Sequence, residues 1–207
     1  NTKYFSLEKK EIAKGFYETD NLKYIGLDLF FKNKKFTQFG IPKKKYLEKI
    51  KLINSFNNST KKNINILKKK NKIIASFQTR NIPHYGHQKI VEYLLNYADI
   101  VVINPILGPK KSGDVKNHVL KESWEFLINK FYVDKVYFYP IIANMFYAGP
   151  REALHHTLLR QNLNFDYFCV GRDHAGAEKL YNPNAAFEIA KNYKDKFKIK
   201  IVNIKGA

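Results

Sequence analysis

The sequence predicts an α/β protein built on a parallel sheet, and two observations lead to this fold class. After residue 72, short runs of β-branched and aromatic residues alternate with segments whose apolar residues recur at helical spacing. Polar, glycine-containing segments directly follow four of these runs, which is typical of loops at the carboxyl ends of parallel strands. Right-handed crossovers between such strands place helices on both faces of the sheet.

Five apolar runs are the predicted strands, and the helices between them are predicted from apolar residues three and four positions apart. The strand runs are IIASF (73–77), IVVIN (100–104), KVYFYPII (135–142), FDYFCV (165–170) and IKIVNI (199–204). The helical pattern is clearest in Ile90, Val91, Leu94 and Leu95 and again in Leu120, Trp124, Leu127, Ile128 and Phe131.

The part of the chain before residue 73 is predicted to be a separate N-terminal region that ends in a linker. Residues 54–72, NSFNNSTKKNINILKKKNK, are rich in Asn and Lys, a composition that favours an exposed, irregular connection. We therefore expect a domain boundary within 55–72, with an N-terminal region over 1–72 and a second domain over 73–207.

The formal charge of +19 on 207 residues is high enough to suggest a nucleic-acid partner, but its distribution argues against one. Residues 1–77 contain 19 Lys and 6 acidic residues, so most of the excess lies outside the polar loops. Of the 37 basic residues 33 are Lys, which indicates a bias in composition more than a designed surface. The four arginines stand out against this bias, because only Arg offers a planar fork for an oxyanion: Arg80, Arg151, Arg160 and Arg172.

The lone cysteine, Cys169, lies in an apolar run and is expected to be a small buried hydrophobic residue. No apolar run approaches the roughly 20 residues that span a bilayer, so no membrane partner is expected. A reducing compartment such as the cytoplasm fits both observations. The sequence leaves a homo-oligomer open.

The segment after the first predicted strand, QTRNIPHYGH, combines four polar side chains with a pair of histidines. His84 and His87 are three residues apart at the start of a helix, whose N-terminal N–H groups favour anions. This pattern suits a polyphosphate, although two surface histidines at a helix start would look the same. Without CxxC or a nearby acidic ligand, a zinc site is less favoured. The four polar residues are Gln78, Thr79, Arg80 and Asn81.

The segment after the fourth predicted strand, GRDHAG, has two glycines bounding charged and polar residues. Backbone N–H groups around Ala175 can form an anion-binding nest. An ordinary turn carrying a surface ion pair is the alternative for this segment. In AGPRE, Pro150 indicates a helix start, and Arg151 with Glu152 can equally be a first-turn ion pair.

Taken together, four segments resemble the ATP sulfurylase (sulfate adenylyltransferase) family, in the family's own order and over about residues 73–204. The segments are FQTRNIPHYGH (77–87), GPKKSGDV (108–115), AGPREALHH (148–156) and FDYFCVGRDHAG (165–176). The resemblance implies a Rossmann-like nucleotidyltransferase domain preceded by a small, partial PUA-like region. It also implies that sulfate attacks the α-phosphate of ATP, accompanied by Mg²⁺, to give adenosine 5′-phosphosulfate and pyrophosphate. No protein-bound metal is implied.

The resemblance also implies roles for particular residues. Gln78, Arg80 and the backbone N–H of Ala175 are expected to bind sulfate. Catalysis and ATP binding are expected of the loop after the first strand, with the histidine pair steadying the transition state and the leaving pyrophosphate. The expected catalytic residues are Thr79, Arg80, Asn81, His84 and His87. The expected ATP-binding residues are these together with Gln78, Gly171, Arg172, Asp173 and His174.

At three positions the chain departs from the family pattern: Ile82 stands in place of a proline, and Phe146 and Leu120 stand where the family has arginine. The loss of two cations leaves open a nucleotide-binding module without turnover, or an enzyme for another oxyanion. A nucleic-acid binder that uses the Lys-rich first part is the third hypothesis. Pyrophosphate release that depends on sulfate distinguishes the first hypothesis from the second, and steep salt dependence of nucleic-acid binding identifies the third.

Overall fold

The structure is a computed structural model, and it describes residues 43–108, 114–143, 145, 149–171, 174 and 182–204, with side chains from residue 48 onward. The predicted strands and helices lie within these ranges. A search of the described helices finds none with the length and apolar character needed to cross a bilayer.

Strands and helices alternate along the chain, as the sequence predicts. The helices are α1 (Lys43–Lys69), α2 (Tyr85–Leu94), α3 (Asn117–Phe131), α4 (Pro150–Asn162) and α5 (Ala185–Asn192), with a 3₁₀ turn at Lys194–Lys196. The strands are β1 (Ile74–Phe77), β2 (Ile100–Ile103), β3 (Val136–Phe138), β4 (Tyr167–Val170) and β5 (Lys200–Asn203).

The five strands form one parallel sheet in the order β3-β2-β1-β4-β5. The order reverses between β1 and β4, where Phe77 lies beside Cys169. This is the doubly wound arrangement, in which the crevice at the reversal binds ligands. The predicted α/β fold class is therefore confirmed.

Helices cover both faces of the sheet, and each face has its own apolar core. On one face, α1, α4 and α5 pack on alternate strand residues, and on the other, α2 and α3 do so. The first core includes Ile64, Leu67, Ile74, Val102, Ala153, Phe168 and Ala186, and the second includes Ala75, Val91, Leu94, Val101, Leu120, Trp124 and Cys169. The expected burial of Cys169 is confirmed, and burial raises the pKa of its thiol to about 12.

The linker predicted over 54–72 is wrong, because most of this segment belongs to α1. The helix buries Ile64 and Leu67 against the sheet. The side-chain amide of Asn57 forms two hydrogen bonds with the backbone of Ile142, each 2.8 Å long, and the Thr60 hydroxyl donates to the Pro140 carbonyl at 2.6 Å. Helix α1 is thus docked on the loop that follows β3.

Two special backbone positions delimit α4. Gly149, which precedes the helix, has φ of 61°, a conformation that side chains disfavour, and Pro150 occupies the first turn. After the helix, Asn164 adopts the left-handed conformation with φ of 74°. The N–H groups of Asn164 and Phe165 donate to the carbonyls of Gln161 and Arg160, a Schellman ending that leaves α4 with defined ends.

Candidate functional site

The predicted loops after β1 and β4 start side by side at the reversal of strand order. Gln78 follows β1 directly, Gly171 follows β4, and the two strands are hydrogen-bonded neighbours. The loops after β2 and β3 leave from the same edge because all strands are parallel. The structure therefore brings these loops to one edge, as expected. Three predicted site residues, Arg172, Asp173 and Ala175, lie outside the described residues.

The loop after β1 is held by a short local network. The Thr79 hydroxyl accepts a hydrogen bond from the backbone N–H of Asn81 at 3.1 Å, which closes a tight turn. The indole N–H of Trp124, a wholly buried residue of α3, donates to the Asn81 carbonyl at 3.1 Å. The loop is therefore fixed to the core, while the Asn81 side chain remains exposed.

His87 lies in the first turn of α2 and is buried among aromatic rings. Its Nε2 is 3.2 Å from the Thr79 hydroxyl, and its ring centroid lies 5.6 Å from that of Phe77 and 5.5 Å from that of Trp124. Burial, with a further contribution from His84, lowers the pKa of His87 to about 4. The imidazole is thus neutral at neutral pH and contributes hydrogen bonds to the site, without a permanent charge.

His84 is the N-cap residue of α2 and remains exposed. Its Nδ1 accepts a hydrogen bond from the Gly86 N–H at 3.1 Å, so the ring proton of the neutral form is on Nε2. The ring centroids of His84 and His87 are 3.9 Å apart. The two histidines predicted as a pair from the sequence therefore lie together, with the His87 ring buried and the His84 ring exposed to solvent. We call His84 and His87 the crevice histidines.

Arg80 forms an ion pair with Asp114, which lies at the end of the loop after β2. The Arg80 Nη1 lies 3.4 Å from one carboxylate oxygen and 3.5 Å from the other. Only about a tenth of the Asp114 side chain is exposed, against a quarter of Arg80. The sequence could not show this partner, because the two residues are separated by 34 positions.

Gln78 is half-buried at the carboxyl end of β1. Its amide N–H group lies 3.6 Å from the sulfur of Met145, in the loop after β3. Within the part of the chain that the structure describes, its buried amide oxygen has no hydrogen-bond partner. The carboxamide therefore has hydrogen-bonding capacity left for another group.

In the loop after β4, Gly171 and His174 have contrasting surroundings. Apart from its chain neighbours, no atom of the described residues lies within 4 Å of the position that a Cβ would take at Gly171, so none of them fills the space beside this backbone. His174 is 9% exposed, with its Nε2 2.9 Å from Nδ1 of His156 and its ring edge-on to Phe168. Its ring therefore points into the protein, and burial lowers its pKa well below the usual value.

The sequence points to Glu152 and Arg160 separately, but it does not show that they and His156 form one buried polar set on α4. Glu152, His156 and Arg160 occupy successive turns on one face of the helix and are at most 2% exposed. The sequence signal for this set is the four-residue spacing of its polar members, because residues at that spacing lie on one face of a helix. We call these three residues the buried polar row.

The row contacts two of the site loops. His156 pairs with His174 in the loop after β4, and the Arg160 Nη2 donates to the Asn104 carbonyl, just after β2, at 2.8 Å. Burial lowers the pKa of Arg160 to about 9, so it remains a cation at neutral pH. Burial first, and then the charge of Arg160, lowers the pKa of His156 to about 2. Both paired imidazoles are therefore neutral.

At Leu120, where the resemblance pattern has a cation, the side chain is wholly buried in the core of α3. The corresponding position Phe146 lies outside the described residues. Among the residues that the structure describes, no three His, Cys, Asp or Glu side chains are grouped as metal ligands would be.

A doubly wound parallel sheet with polar loops and a helix N-terminus at its reversal places the fold in the Rossmann-like class of α/β proteins. Residues 56–207 match the ATP-sulfurylase family, and the chain belongs to that family. The match includes the second half of α1, the segment that the sequence reasoning had treated as a linker.

Curated relatives agree with the family match. The chain is 44% identical over 125 residues to the sulfate adenylyltransferase of Ignicoccus hospitalis, an alignment that covers 60% of this chain and 33% of that protein. It is 39% identical over 145 residues to the sulfate adenylyltransferase of Carboxydothermus hydrogenoformans, covering 69% and 38%. The chain thus spans about a third of the length of the curated relatives it matches.

Among solved structures, the chain is similar to the hexameric APS kinase from Thiobacillus denitrificans, with a TM-score of 0.50 and 12% sequence identity. The similarity covers 68% of this chain and 26% of the other. At this identity the likeness concerns the fold alone, and it agrees with the α/β architecture.

Proposed function

We propose that the protein is a sulfate adenylyltransferase, which transfers the adenylyl group of ATP to sulfate. The observation that carries this proposal is the meeting of the Gln78–His87 loop with the loop after β4 at the strand-order reversal, in a chain of this family. We extend the start of the catalytic domain back to α1, because that helix packs on the sheet and contacts the loop after β3.

In the proposed reaction, a sulfate oxygen attacks the α-phosphorus of ATP in line with the leaving group. The new S–O–P linkage forms as the bond between the α-phosphorus and the bridging oxygen breaks, and pyrophosphate leaves with that electron pair. Both reactants are anions, so catalysis depends on alignment and on compensating negative charge. Mg²⁺ enters with ATP as part of the substrate. The reaction needs no protein nucleophile.

For sulfate we propose Gln78, Arg80 and the backbone N–H of Ala175. Arg80 is supported by its chemistry and its place, since its planar guanidinium suits an oxyanion and its ion pair with Asp114 orients the group just after β1. Gln78 is supported by its spare hydrogen-bonding capacity. Sulfate would therefore bind to an arginine whose orientation a carboxylate already restricts.

For the pyrophosphate end we propose the crevice histidines, with Thr79 and Asn81 completing the loop. The exposed Nε2–H of His84 can donate to a phosphate oxygen, and the neutral ring of His87 lies behind it, tilted by 33°. For ATP we also propose the backbone around Gly171, together with Arg172 and Asp173. Because the His174 ring is buried against His156, we assign His174 a supporting role beneath this loop.

The test measures pyrophosphate release from ATP by the full-length protein, with and without sulfate. We expect release that requires sulfate and yields adenosine 5′-phosphosulfate in equal amount. Phosphate and molybdate, added in place of sulfate, report whether another tetrahedral oxyanion is the substrate. ATP binding without sulfate-dependent release would contradict the proposal and favour a binding module.

A further inference from the structure

The buried polar row breaks the pattern of the other sheet-packing helices. Apart from His87 in the first turn of α2, the buried residues of α2 and α3 are apolar, whereas α4 buries a carboxylate, an imidazole and a guanidinium. Desolvating such groups is costly, and well-packed apolar residues would fill the same volume at lower cost. Polar contacts differ from apolar ones in being directional, so they fix one relative position of the groups they join.

The contacts of the row reach two separate loops of the site. Glu152 Oε1 lies 3.2 Å from Nε2 of His156, although out of line for a hydrogen bond, and Nδ1 of the same ring meets Nε2 of His174 at 2.9 Å. One turn further on, Arg160 donates to the carbonyl of Asn104. Helix α4 is therefore joined both to His174, which follows β4, and to Asn104, which follows β2.

The protonation of the two imidazoles follows from their neighbours. A carboxylate facing Nε2 of His156 favours the proton on that nitrogen, because a lone pair there would be repelled. Nδ1 of His156 is then the acceptor, and His174 donates its Nε2–H. Each contact therefore has a defined proton: Nε2–H of His156 faces the Glu152 carboxylate, and Nε2–H of His174 donates to Nδ1 of His156.

We propose that His156 is a positioning residue for the nucleotide, which sets the loop after β4 by holding His174 from beneath. Arg160 is likewise a positioning residue, because it holds the Asn104 carbonyl just after β2. This inference rests on the proposed function for its link to ATP, but not for its link to the loop. His156 itself touches no substrate in this scheme.

The experiment compares three variants of the full-length protein. His156→Leu removes the acceptor while keeping the site filled, and His156→Asn keeps an oxygen close to the position of Nδ1. The matched control is Thr157→Val, since Thr157 is also wholly buried on α4 but its hydroxyl donates to the Ala153 carbonyl of the same helix and, among the described residues, to no site loop.

The first readout is the Kd for ATP, measured by calorimetry, beside the KM for sulfate. We expect His156→Leu to weaken ATP binding about tenfold, the equivalent of one good hydrogen bond, and to leave the sulfate KM within about twofold. His156→Asn should recover most of the ATP affinity. Thr157→Val should leave it unchanged whatever its melting temperature. Equal ATP effects for Leu and Val variants would overturn the proposal in favour of a merely structural role.

The second readout is nitrogen NMR of the histidine rings, which needs neither turnover nor ATP. We expect His174 to be the Nε2–H tautomer in the wild type, and its signals and the Gly171 amide to shift in His156→Leu but not in Thr157→Val. Unchanged His174 and Gly171 signals in His156→Leu would overturn the inference. Absent sulfate-dependent release by the wild type would instead contradict the proposed function.

Discussion

The crevice histidines and the buried polar row both contain buried imidazoles, but only the crevice pair also has an imidazole exposed to solvent. His84 faces solvent with a free donor, and His87 behind it is supported by Thr79. In the row, His156 is wholly buried and contacts His174 and Glu152. The comparison teaches that histidines of one chain can serve different purposes. His84 is exposed at the crevice, whereas His156 is buried and contacts His174.

Acidic pH is expected to have the largest effect, a loss of folding stability, because it favours protonation of the buried, neutral histidines of both regions. Burial keeps the folded-state pKa of His87 at about 4 and that of His156 at about 2, and lowers that of His174, whereas the unfolded chain takes up protons near 6.5. Stability is therefore fully present above pH 6.5 and falls as pH drops below it.

At pH 5 His87 and His156 should each cost about 2 kcal/mol relative to pH 8, and His174 should add to the loss. Chemical denaturation at a series of pH values measures this loss. Replacing His156 with Asn should make the loss smaller by about 2 kcal/mol. A free energy of unfolding that does not change between pH 8 and 5 would refute the assignment of neutral, buried imidazoles.

On the crevice side, Arg80→Lys tests whether charge alone suffices for the oxyanion. The substitution keeps the charge but loses the planar fork, so we expect a loss of about 2–4 kcal/mol in transition-state stabilisation. This corresponds to about 30- to 1,000-fold in kcat/KM, measured by sulfate-dependent pyrophosphate release. The matched swap Lys89→Arg, on the exposed surface of α2, should have no effect. Wild-type rates for Arg80→Lys at saturating substrates would remove Arg80 from the chemistry.

The crevice histidines provide the next contrast. Replacing His84 or His87 with Ala should lower kcat about 10- to 100-fold and weaken ATP binding less, because their contacts strengthen as the bond to pyrophosphate lengthens. The double variant should be less than additive, since both rings act on one group. Calorimetric Kd values for ATP, compared with kcat, distinguish transition-state stabilisation from ATP binding. An unchanged kcat with a raised Kd would show that the two histidines contribute to ATP binding in the ground state and not to catalysis.

The smallest predicted effect concerns the docking of α1. Asn57→Ala leaves the backbone N–H and carbonyl of Ile142 without their partner, so we expect a loss of about 1–3 kcal/mol in unfolding free energy. Asn58→Ala, at the exposed neighbouring position, should change it by less than about 0.5 kcal/mol. Equal unfolding free energies for the two variants would show that the Asn57 hydrogen bonds to Ile142 contribute little to stability.

The sheet could be predicted from the sequence because its strands are short apolar runs with clear polar boundaries, such as IIASF before Gln78. The linker prediction failed because composition was weighed above periodicity. Within the Asn- and Lys-rich segment, Asn57, Thr60, Ile64 and Leu67 recur at helical spacing and form the docked face of α1. Two of the four are polar, so the face did not look like a core.

The site was predicted in part for a related reason. Residues adjacent in sequence, such as Thr79 and Arg80, could be assigned to one loop because they follow one strand. Pairings across the chain, such as Arg80 with Asp114 or His156 with His174, depend on where the strands end in space. Local spacing does not contain that information, and burial, which makes His156 and His174 neutral, arises only in the fold.

Trp124 is the single tryptophan of the chain, and its indole N–H is hydrogen-bonded to the backbone of the loop after β1. The protein therefore carries a built-in fluorophore at this loop, and a change in that hydrogen bond will alter the emission wavelength. His87 lies 5.5 Å from the indole, and a protonated imidazole quenches indole fluorescence on contact. The intrinsic emission will thus report, without a label, both the arrival of a ligand at the loop and the protonation of the neighbouring imidazole.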